Sequence, residues 1–226
     1  MFHVEQLNEH TKNLLSTHLA WVLAINRTHN LTAITDKDAA WHLHVVDSMQ
    51  ALPHVNNAPE GLLLDIGTGA GFPGVPLGIL SGRNTLCLDS VKKKAEALES
   101  FLRSTEGFES IEAKGMRAEE LAQIAPQEFA VVTARAVAPL NSLVELVSPL
   151  LHMGGICVLM KGKLSEEELR DGDVAAARCG LVRKQIRNYT LPNGDEQRCI
   201  VEYEKAAEPE ILLPRRVGVA QKRPLT

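Results

Sequence analysis

The chain has 226 residues, of which 45% are hydrophobic and 23% charged, and its formal net charge is −4. These are the proportions of a globular protein, and they exclude a disordered, collagen-like or low-complexity chain. A chain of this length buries about 70% of the surface that it exposes when unfolded, so its core needs no disulfide or metal. The spacing of Cys87, Cys157, Cys179 and Cys199 matches no zinc motif, and we expect no metal site.

Two predicted helices, over residues 4–28 and 36–52, open the chain, and Pro53 lies just beyond the second. The first residues lack the basic-then-apolar order of a signal peptide. The longest near-apolar run, residues 150–160, is too short to cross a bilayer. We therefore expect a cytoplasmic protein without a membrane partner, in which residues 1–55 form an N-terminal helical extension.

From residue 62 to about 206, short apolar runs alternate with helical patterns. This alternation predicts an α/β fold of the Rossmann-like type, a parallel sheet with helices on both faces. A turn motif at 191–195 indicates that the sheet ends in an antiparallel hairpin, and we take residues 56–206 as one core domain. Strands are predicted over 62–66, 84–88, 110–113, 129–134, 156–161, 182–189 and 198–204, and helices over 74–80, 90–105, 117–124, 139–152 and 165–178.

The last part of the chain, residues 207–226, is predicted to be a basic tail. Residues 211–226 carry a charge of +4 without an acid, which leaves −8 for the rest of the chain. A mildly acidic body with a basic end fits a protein that meets a polyanion at one edge, and a solvated tail is the alternative. The candidate phosphate contacts in the tail are Arg215, Arg216, Lys222 and Arg223.

A glycine-rich turn, DIGTGAGFPG at residues 65–74, follows the first core strand. Its last three glycines match GxGxxG, a pattern also found at dinucleotide sites. Asp65 stands two residues before Gly67, and a carboxylate so close is unfavourable for a pyrophosphate. Pro73 removes a backbone hydrogen-bond donor at the helix start, where a pyrophosphate is usually held. A cationic ligand without phosphate, such as S-adenosylmethionine, fits better, and NAD is the alternative.

Two further positions support a nucleoside site. Asp89 ends the second strand, where an acid accepts hydrogen bonds from ribose hydroxyls. After the third strand, Arg117, Ala118 and Glu119 could flank an adenine. The alternative for Glu119 and Glu120 is an exposed first helical turn, which their charge would stabilise.

The chain resembles the RsmG (GidB) family of bacterial 16S rRNA guanine-N7 methyltransferases, which are class I S-adenosylmethionine-dependent enzymes. The most specific matching stretches are GTGAGFPG at 67–74 and PRRVG at 214–218 with KRP at 222–224. The other matches are Asn30–Thr32, His44–Ser48, Leu88–Ser90 with Lys93, Arg117–Glu120, Ala134–Ala136 and Leu159–Gly162.

The resemblance implies a class I methyltransferase core and methylation of the guanine at position 527 of 16S rRNA, in the 530 loop of the small subunit. It also implies contacts with the methyl donor at Gly67, Phe72, Ala118, Glu119 and Arg135. Together with the glycine turn and Asp89, the predicted donor set is Asp65, Gly67, Thr68, Gly69, Gly71, Phe72, Asp89, Arg117, Ala118, Glu119 and Arg135.

The residues after the fourth strand fit N7 as the acceptor. Guanine N7 carries a lone pair and no proton, so transfer needs alignment more than a base. The stretch TARA at 133–136 has neither the Asp/Asn-Pro-Pro-aromatic motif of amino-group methylases nor the cysteine nucleophile of pyrimidine-C5 methylases. Arg135 could contact guanine O6, brace the donor's carboxylate or form a structural ion pair. Lys161, at the end of the fifth strand, is the second catalytic candidate and a candidate phosphate contact.

Three other functions stay open at this point. The chain could methylate another RNA or a small molecule, act as an NAD-dependent oxidoreductase, or bind the donor and the small subunit without catalysis. His42, His44 and Asp47 are too few and wrongly spaced for a metal site, and we expect His44 and Asp47 to form a structural pair. A monomer is expected.

Overall fold

The structure, a computed structural model, describes residues 7–29, 32–191 and 196–226, with no side-chain description for 27–29. A seven-stranded sheet lies at its centre, in the order β3-β2-β1-β4-β5-β7-β6. The strands are β1 Leu62–Ile66, β2 Thr85–Asp89, β3 Ile111–Gly115, β4 Phe129–Arg135, β5 Leu151–Lys161, β6 Leu181–Thr190 and β7 Gln197–Lys205.

The sheet confirms the predicted fold class. β1 to β5 run parallel, whereas β7 pairs antiparallel with both β5 and β6. The chain order reverses between β1 and β4, and in such sheets ligands bind beyond the carboxyl ends of the strands at this reversal. The predicted hairpin strands are present, while the turn residues 192–195 lie outside the described residues.

Helices cover both faces of the sheet. On one face lie α1, α4, α5 and α6, and on the other lie α7, α8, α9 and α10. None of the described helices is long and apolar enough to cross a membrane. The α-helices are α1 Glu9–His29, α2 Lys37–Ala40, α3 Asp47–Met49, α4 Leu52–Asn57, α5 Gly74–Ser81, α6 Lys92–Ser104, α7 Ala118–Ile124, α8 Leu140–Val147, α9 Glu166–Arg178 and α10 Val219–Lys222.

The second predicted helix, over 36–52, is broken into parts. Asp36 caps its start by accepting the amide of Ala39 at 2.8 Å. A π-helical turn, Trp41–Val46, separates α2 from α3, and such turns often occur at functional sites. Pro53 does follow the end of α3, but it also lies in the first turn of α4, where its missing N–H costs nothing.

The largest boundary error concerns residues 148–155. The predicted helix over 139–152 ends at Val147, a 3₁₀ turn follows, and β5 begins at Leu151 instead of residue 156. Short apolar runs fit a buried helix and a buried strand equally well, which is why the pattern misplaced this boundary. By contrast, the helix predicted over 165–178 agrees closely with α9, which Ser165 caps by accepting the amide of Glu168 at 3.1 Å.

Candidate active site

The glycine-rich turn joins β1 to α5 at the reversal of the sheet. The amides of Gly67 and Thr68 both donate to the carbonyl of Leu88, at 2.7 and 3.0 Å, which ties the turn to β2. Gly71 has a φ of +94°, and a Cβ there would lie 2.8 Å from Nε2 of His18. Around Gly69 a Cβ would meet nothing within 4 Å, so the backbone of the turn faces an open cleft at that point.

Asp65 is fully buried beneath this turn. Its carboxylate accepts the amide of Gly74, at the start of α5, at 3.0 Å and the hydroxyl of Thr133 at 2.9 Å. Burial raises the pKa of Asp65 to about 6, although these hydrogen bonds oppose the rise. Asp65, which the sequence predicted as a contact of the methyl donor, therefore lies inside the fold, where its side chain fixes the shape of the turn.

Asp89 lies at the carboxyl end of β2, beside the open backbone of the turn. Its carboxylate accepts the amides of Gly69 at 2.9 Å and Val91 at 2.8 Å, and the residue is 8% exposed. An ionised carboxylate can accept about four hydrogen bonds, so acceptor sites remain for ligand hydroxyls.

A narrow cavity of about 60 Å³, which we call the loop slot, lies between the turn and α7. Glu119 is turned inward and is 7% exposed, whereas Glu120 is exposed and accepts the amide of Arg117 at 2.9 Å. The alternative prediction, that Glu119 and Glu120 form an exposed first helical turn, therefore holds only for Glu120. Apolar side chains around one carboxylate fit a purine nucleoside. The slot is lined by Ile66, Gly67, Leu88, Ser90, Met116, Arg117, Ala118, Glu119, Val137, Leu146 and Gln221.

Phe72 lies beneath the turn instead of facing the slot. Its ring centroid is 4.7 Å from that of His18 and 4.8 Å from that of His44, and the guanidinium carbon of Arg135 is 5.7 Å from it. Thr68 is likewise buried. Both predicted donor residues support the turn from within.

His18, on α1, supports the turn through a buried contact. Its Nε2 lies 2.8 Å from the carbonyl of Ala70. Burial lowers the pKa of His18 from 6.5 to about 4. The ring is therefore neutral in the folded protein at pH 7.

This shift predicts a pH dependence of stability. As the pH falls from 6.5 towards 4, an unfolded His18 takes up a proton that the folded one does not, so the free energy of unfolding falls. We expect His18→Gln to reduce the slope of the unfolding free energy by about 1 kcal/mol per pH unit in this range. Urea unfolding of both proteins at several pH values measures the slopes, and equal slopes would contradict the assignment.

A second cavity of about 410 Å³, the strand-end cavity, opens at the carboxyl ends of β4 and β5. Arg135 and Lys161, the two catalytic candidates, both line it, so the structure brings them together. This volume is within the range of roughly 300–1,000 Å³ that is usual for small-molecule sites. Its lining residues are Ile34, Leu43, His44, Asp47, Arg135, Ala136, Met160, Lys161, Gly162, Tyr189, Glu196 and Arg198.

Asp47 connects the elements around this cavity and is 3% exposed. Its carboxylate accepts Nη1 of Arg135 at 2.8 Å and the hydroxyl of Tyr189 at 2.7 Å. Nε of Arg198 lies 4.0 Å away. One buried carboxylate thus joins the N-terminal helices to β4, β6 and β7.

The predicted His44–Asp47 pair takes a different form. Arg135 lies near both residues, with its Nη2 3.4 Å from Nδ1 of His44. Nε2 of His44 is 2.9 Å from the hydroxyl of Thr32. Burial, with a smaller effect from the charge of Arg135, lowers the pKa of His44 to about 4. His44 therefore adds no positive charge to the cavity at neutral pH.

Lys161 has partners within the fold. Its ammonium group donates to the carbonyl of Ala138 at 2.8 Å and forms an ion pair with Glu168 at 2.8 Å. It lines the strand-end cavity, but its charge is balanced by Glu168, which makes a direct phosphate contact less favourable than the sequence indicated.

The basic tail is folded against α8. Arg215 donates from Nε to Glu145 at 2.7 Å, makes a second bond to the same carboxylate and donates to the carbonyl of Arg223 at 2.8 Å. Arg215, predicted as a phosphate contact, therefore anchors the tail. Arg216, Lys222 and Arg223 are exposed.

Sequence reasoning missed Tyr189, Arg198 and Gln221 as cavity residues and assigned Asp47 only a structural role. The two hairpin residues reach the cavity because β7 lies antiparallel beside β5. The alternation of side chains along a strand indicates which face of the sheet a residue lies on, but not which cavity it reaches. The sequence therefore carried little signal for these two residues.

Comparison with known proteins gives consistent matches. The family model described as GidB, rRNA small subunit methyltransferase G, matches residues 11–199. Ribosomal RNA small subunit methyltransferase G of Carboxydothermus hydrogenoformans is 36% identical over 215 residues, covering 94% of this chain and 91% of the relative. The protein of the same name from Deinococcus radiodurans is 39% identical over 213 residues, covering 92% and 83%.

Two solved structures with a similar fold are also methyltransferases by name. Geranyl diphosphate C-methyltransferase from Streptomyces coelicolor A3(2) superposes with a TM-score of 0.55 at 14% identity, covering 71% of this chain and 77% of that one. A putative methyltransferase from Bacillus halodurans C-125 gives 0.56 at 13% identity, covering 72% and 100%. At these identities the likeness concerns the fold.

Proposed function

The chain belongs to the GidB family of rRNA small subunit methyltransferases G, and from this membership we propose that it methylates N7 of a guanine in 16S rRNA. We propose S-adenosylmethionine as the methyl donor and the guanine at position 527, in the 530 loop, as the target. The observation that carries the proposal is the position of Arg135, the last residue of β4, which lines the strand-end cavity next to the glycine-rich turn.

The loop slot and Asp89 support the donor assignment. The walls of the slot contributed by Leu88, Met116 and Ala118 are apolar and suit a flat purine. Asp89, at the adjacent strand end, has free acceptor sites for ribose hydroxyls. A donor held in this way would extend past Gly69 towards the strand-end cavity.

The strand-end cavity supports a base as the acceptor. When bound, S-adenosylmethionine supplies an electrophilic methyl group, to which the N7 lone pair bonds as the carbon–sulfur bond breaks. No proton is removed, so the protein has to hold the base in line and keep water out. An arginine suits the O6 edge of guanine beside N7.

The charges around Arg135 also suit this reaction, because N7 methylation leaves the base positively charged. Asp47 neutralises Arg135, Glu168 neutralises Lys161, and His44 is uncharged at neutral pH. The cavity can therefore receive a base that becomes cationic without a large net positive charge opposing it.

We propose that Arg216, Lys222 and Arg223 provide the RNA phosphate contacts, with Arg215 fixing the segment that presents them. Replacing these three exposed residues by alanine is expected to weaken rRNA binding. It is also expected to lower the slope of log affinity against log salt by about 0.7–0.9 for each phosphate that the variant no longer neutralises. Filter binding of a 16S rRNA fragment at several salt concentrations measures this slope.

The control for this prediction removes three exposed cations elsewhere, Arg103, Lys114 and Lys184. It changes the net charge equally and is expected to leave the slope close to the wild-type value. Equal slopes for the two triple variants would show that the C-terminal cations make no local phosphate contact.

The experiment that tests the proposed function is transfer of a labelled methyl group from S-adenosylmethionine to small subunits from cells that lack this modification. Free 16S rRNA, transfer RNA and buffer alone are the parallel substrates. Label in 16S rRNA is expected. Label only in another RNA, or none despite donor binding, would overturn the substrate assignment, and binding of NAD in place of the donor would overturn the reaction class.

A further inference from the structure

The C-terminal segment, residues 211–226, packs on the face of the sheet that carries α8. Ala220, in α10, is 1% exposed, and its carbonyl accepts the hydroxyl of Ser142 at 2.9 Å. Arg215 holds the segment to Glu145 of α8. Two independent anchors therefore fix its path over the core.

This path brings the segment to the loop slot. The amide of Gly218 donates to Oε1 of Glu119 at 2.7 Å, which links the segment to the first turn of α7. One helical turn further on, Gln221 lines the slot together with residues of β1 and β2. Gln221 is exposed, and its side-chain amide makes no hydrogen bond within the described part of the chain.

We infer that the C-terminal segment forms one wall of the methyl-donor site and that the side-chain amide of Gln221 binds the adenine ring of the donor. This inference rests on the proposed function, because it needs S-adenosylmethionine as the ligand. It adds to the donor site a residue that lies 75 positions beyond Leu146, the slot residue that precedes it in the chain.

The chemistry of the two groups is complementary. A glutamine amide offers one acceptor and two donors, and adenine carries an amine next to a ring nitrogen acceptor. Glutamine commonly makes a pair of hydrogen bonds to this edge of adenine. Residues of β1, β2 and α7 line the slot together with Gln221, so a ring that enters the slot lies within reach of the Gln221 side chain.

Calorimetric titration with S-adenosylhomocysteine tests the inference without any need for turnover. Gln221→Ala is expected to weaken binding by about 10-fold, the loss expected for a pair of hydrogen bonds to adenine. The matched control is Leu212→Ala, whose side chain is 91% exposed in the same segment and which is expected to bind as wild type does. Binding by Gln221→Ala within twofold of wild type would overturn the inference.

A second titration uses S-inosylhomocysteine, in which an oxygen replaces the adenine amine. Wild type is expected to discriminate against it, and Gln221→Ala is expected to lose most of this discrimination. Equal discrimination by the two proteins would assign adenine recognition to other residues. Failure of wild type to bind S-adenosylhomocysteine at all would instead contradict the proposed function, so the two failures are distinguishable.

Discussion

Replacing Arg135 by alanine is expected to lower methyl transfer to the small subunit by about 100-fold or more, as the loss of a positioned hydrogen-bond donor commonly does. The same change is expected to alter the affinity for S-adenosylhomocysteine by less than about threefold, because Arg135 lines the strand-end cavity and is absent from the lining of the loop slot. Single-turnover rates and calorimetry of the same protein preparation measure the two effects.

Stability has to be separated from catalysis in this test. Removing Arg135 leaves Asp47 buried with one partner fewer, and breaking a buried ion pair costs about 3–5 kcal/mol. The double variant Arg135→Gln with Asp47→Asn removes both charges together and is expected to unfold closer to wild type while still failing to transfer methyl groups. If donor affinity instead falls in parallel with the rate, Arg135 braces the donor and the assignment to the base is wrong.

Asp89→Asn is expected to weaken binding of S-adenosylhomocysteine by about 10- to 100-fold, since hydrogen bonds to a charged group contribute about 1.5–3 kcal/mol. The carboxylate accepts the amides of both Gly69 and Val91, and an asparagine amide can serve only one of them with its oxygen. The ribose contact and the shape of the glycine-rich turn would be weakened together.

The same substitution at an exposed acid, Asp171→Asn, is the control and is expected to have no effect on donor affinity. Binding of the 16S rRNA fragment is expected to be unchanged in both variants, because the Asp89 carboxylate bonds the amides of Gly69 and Val91 and none of the C-terminal cations. Wild-type donor affinity in Asp89→Asn would show that the nucleoside is not bound at the end of β2.

The fold could be predicted from the sequence because its local signals agree with one another. Apolar runs of strand length stand between helical patterns, and Ser165 and Gly180 mark both ends of α9. The glycine-rich turn, at the end of β1, also indicated where the sheet would bind a ligand. Local pattern and overall fold agree at these positions, as is usual for sequences that fold well.

The candidate site was harder to predict because tertiary contacts define it. Asp47 meets Tyr189 and Arg135 only after α3 has packed against the ends of β4 and β6. Arg215 and Glu145 form an ion pair across 70 positions of sequence, and no periodicity reports such a contact. A charge count therefore indicated four free cations in the tail where the structure leaves three exposed.

The position of the methyl group in the rRNA tests the central claim most directly. Small subunits methylated by the purified protein would be treated with borohydride and aniline, which cleave RNA at N7-methylguanosine, and the cleavage site would be mapped by primer extension. A single cleavage at the guanine at position 527, present only when S-adenosylmethionine was added, is the result that we predict. Incorporated label without cleavage at any guanine would contradict the account, because the methyl group would then lie on another atom.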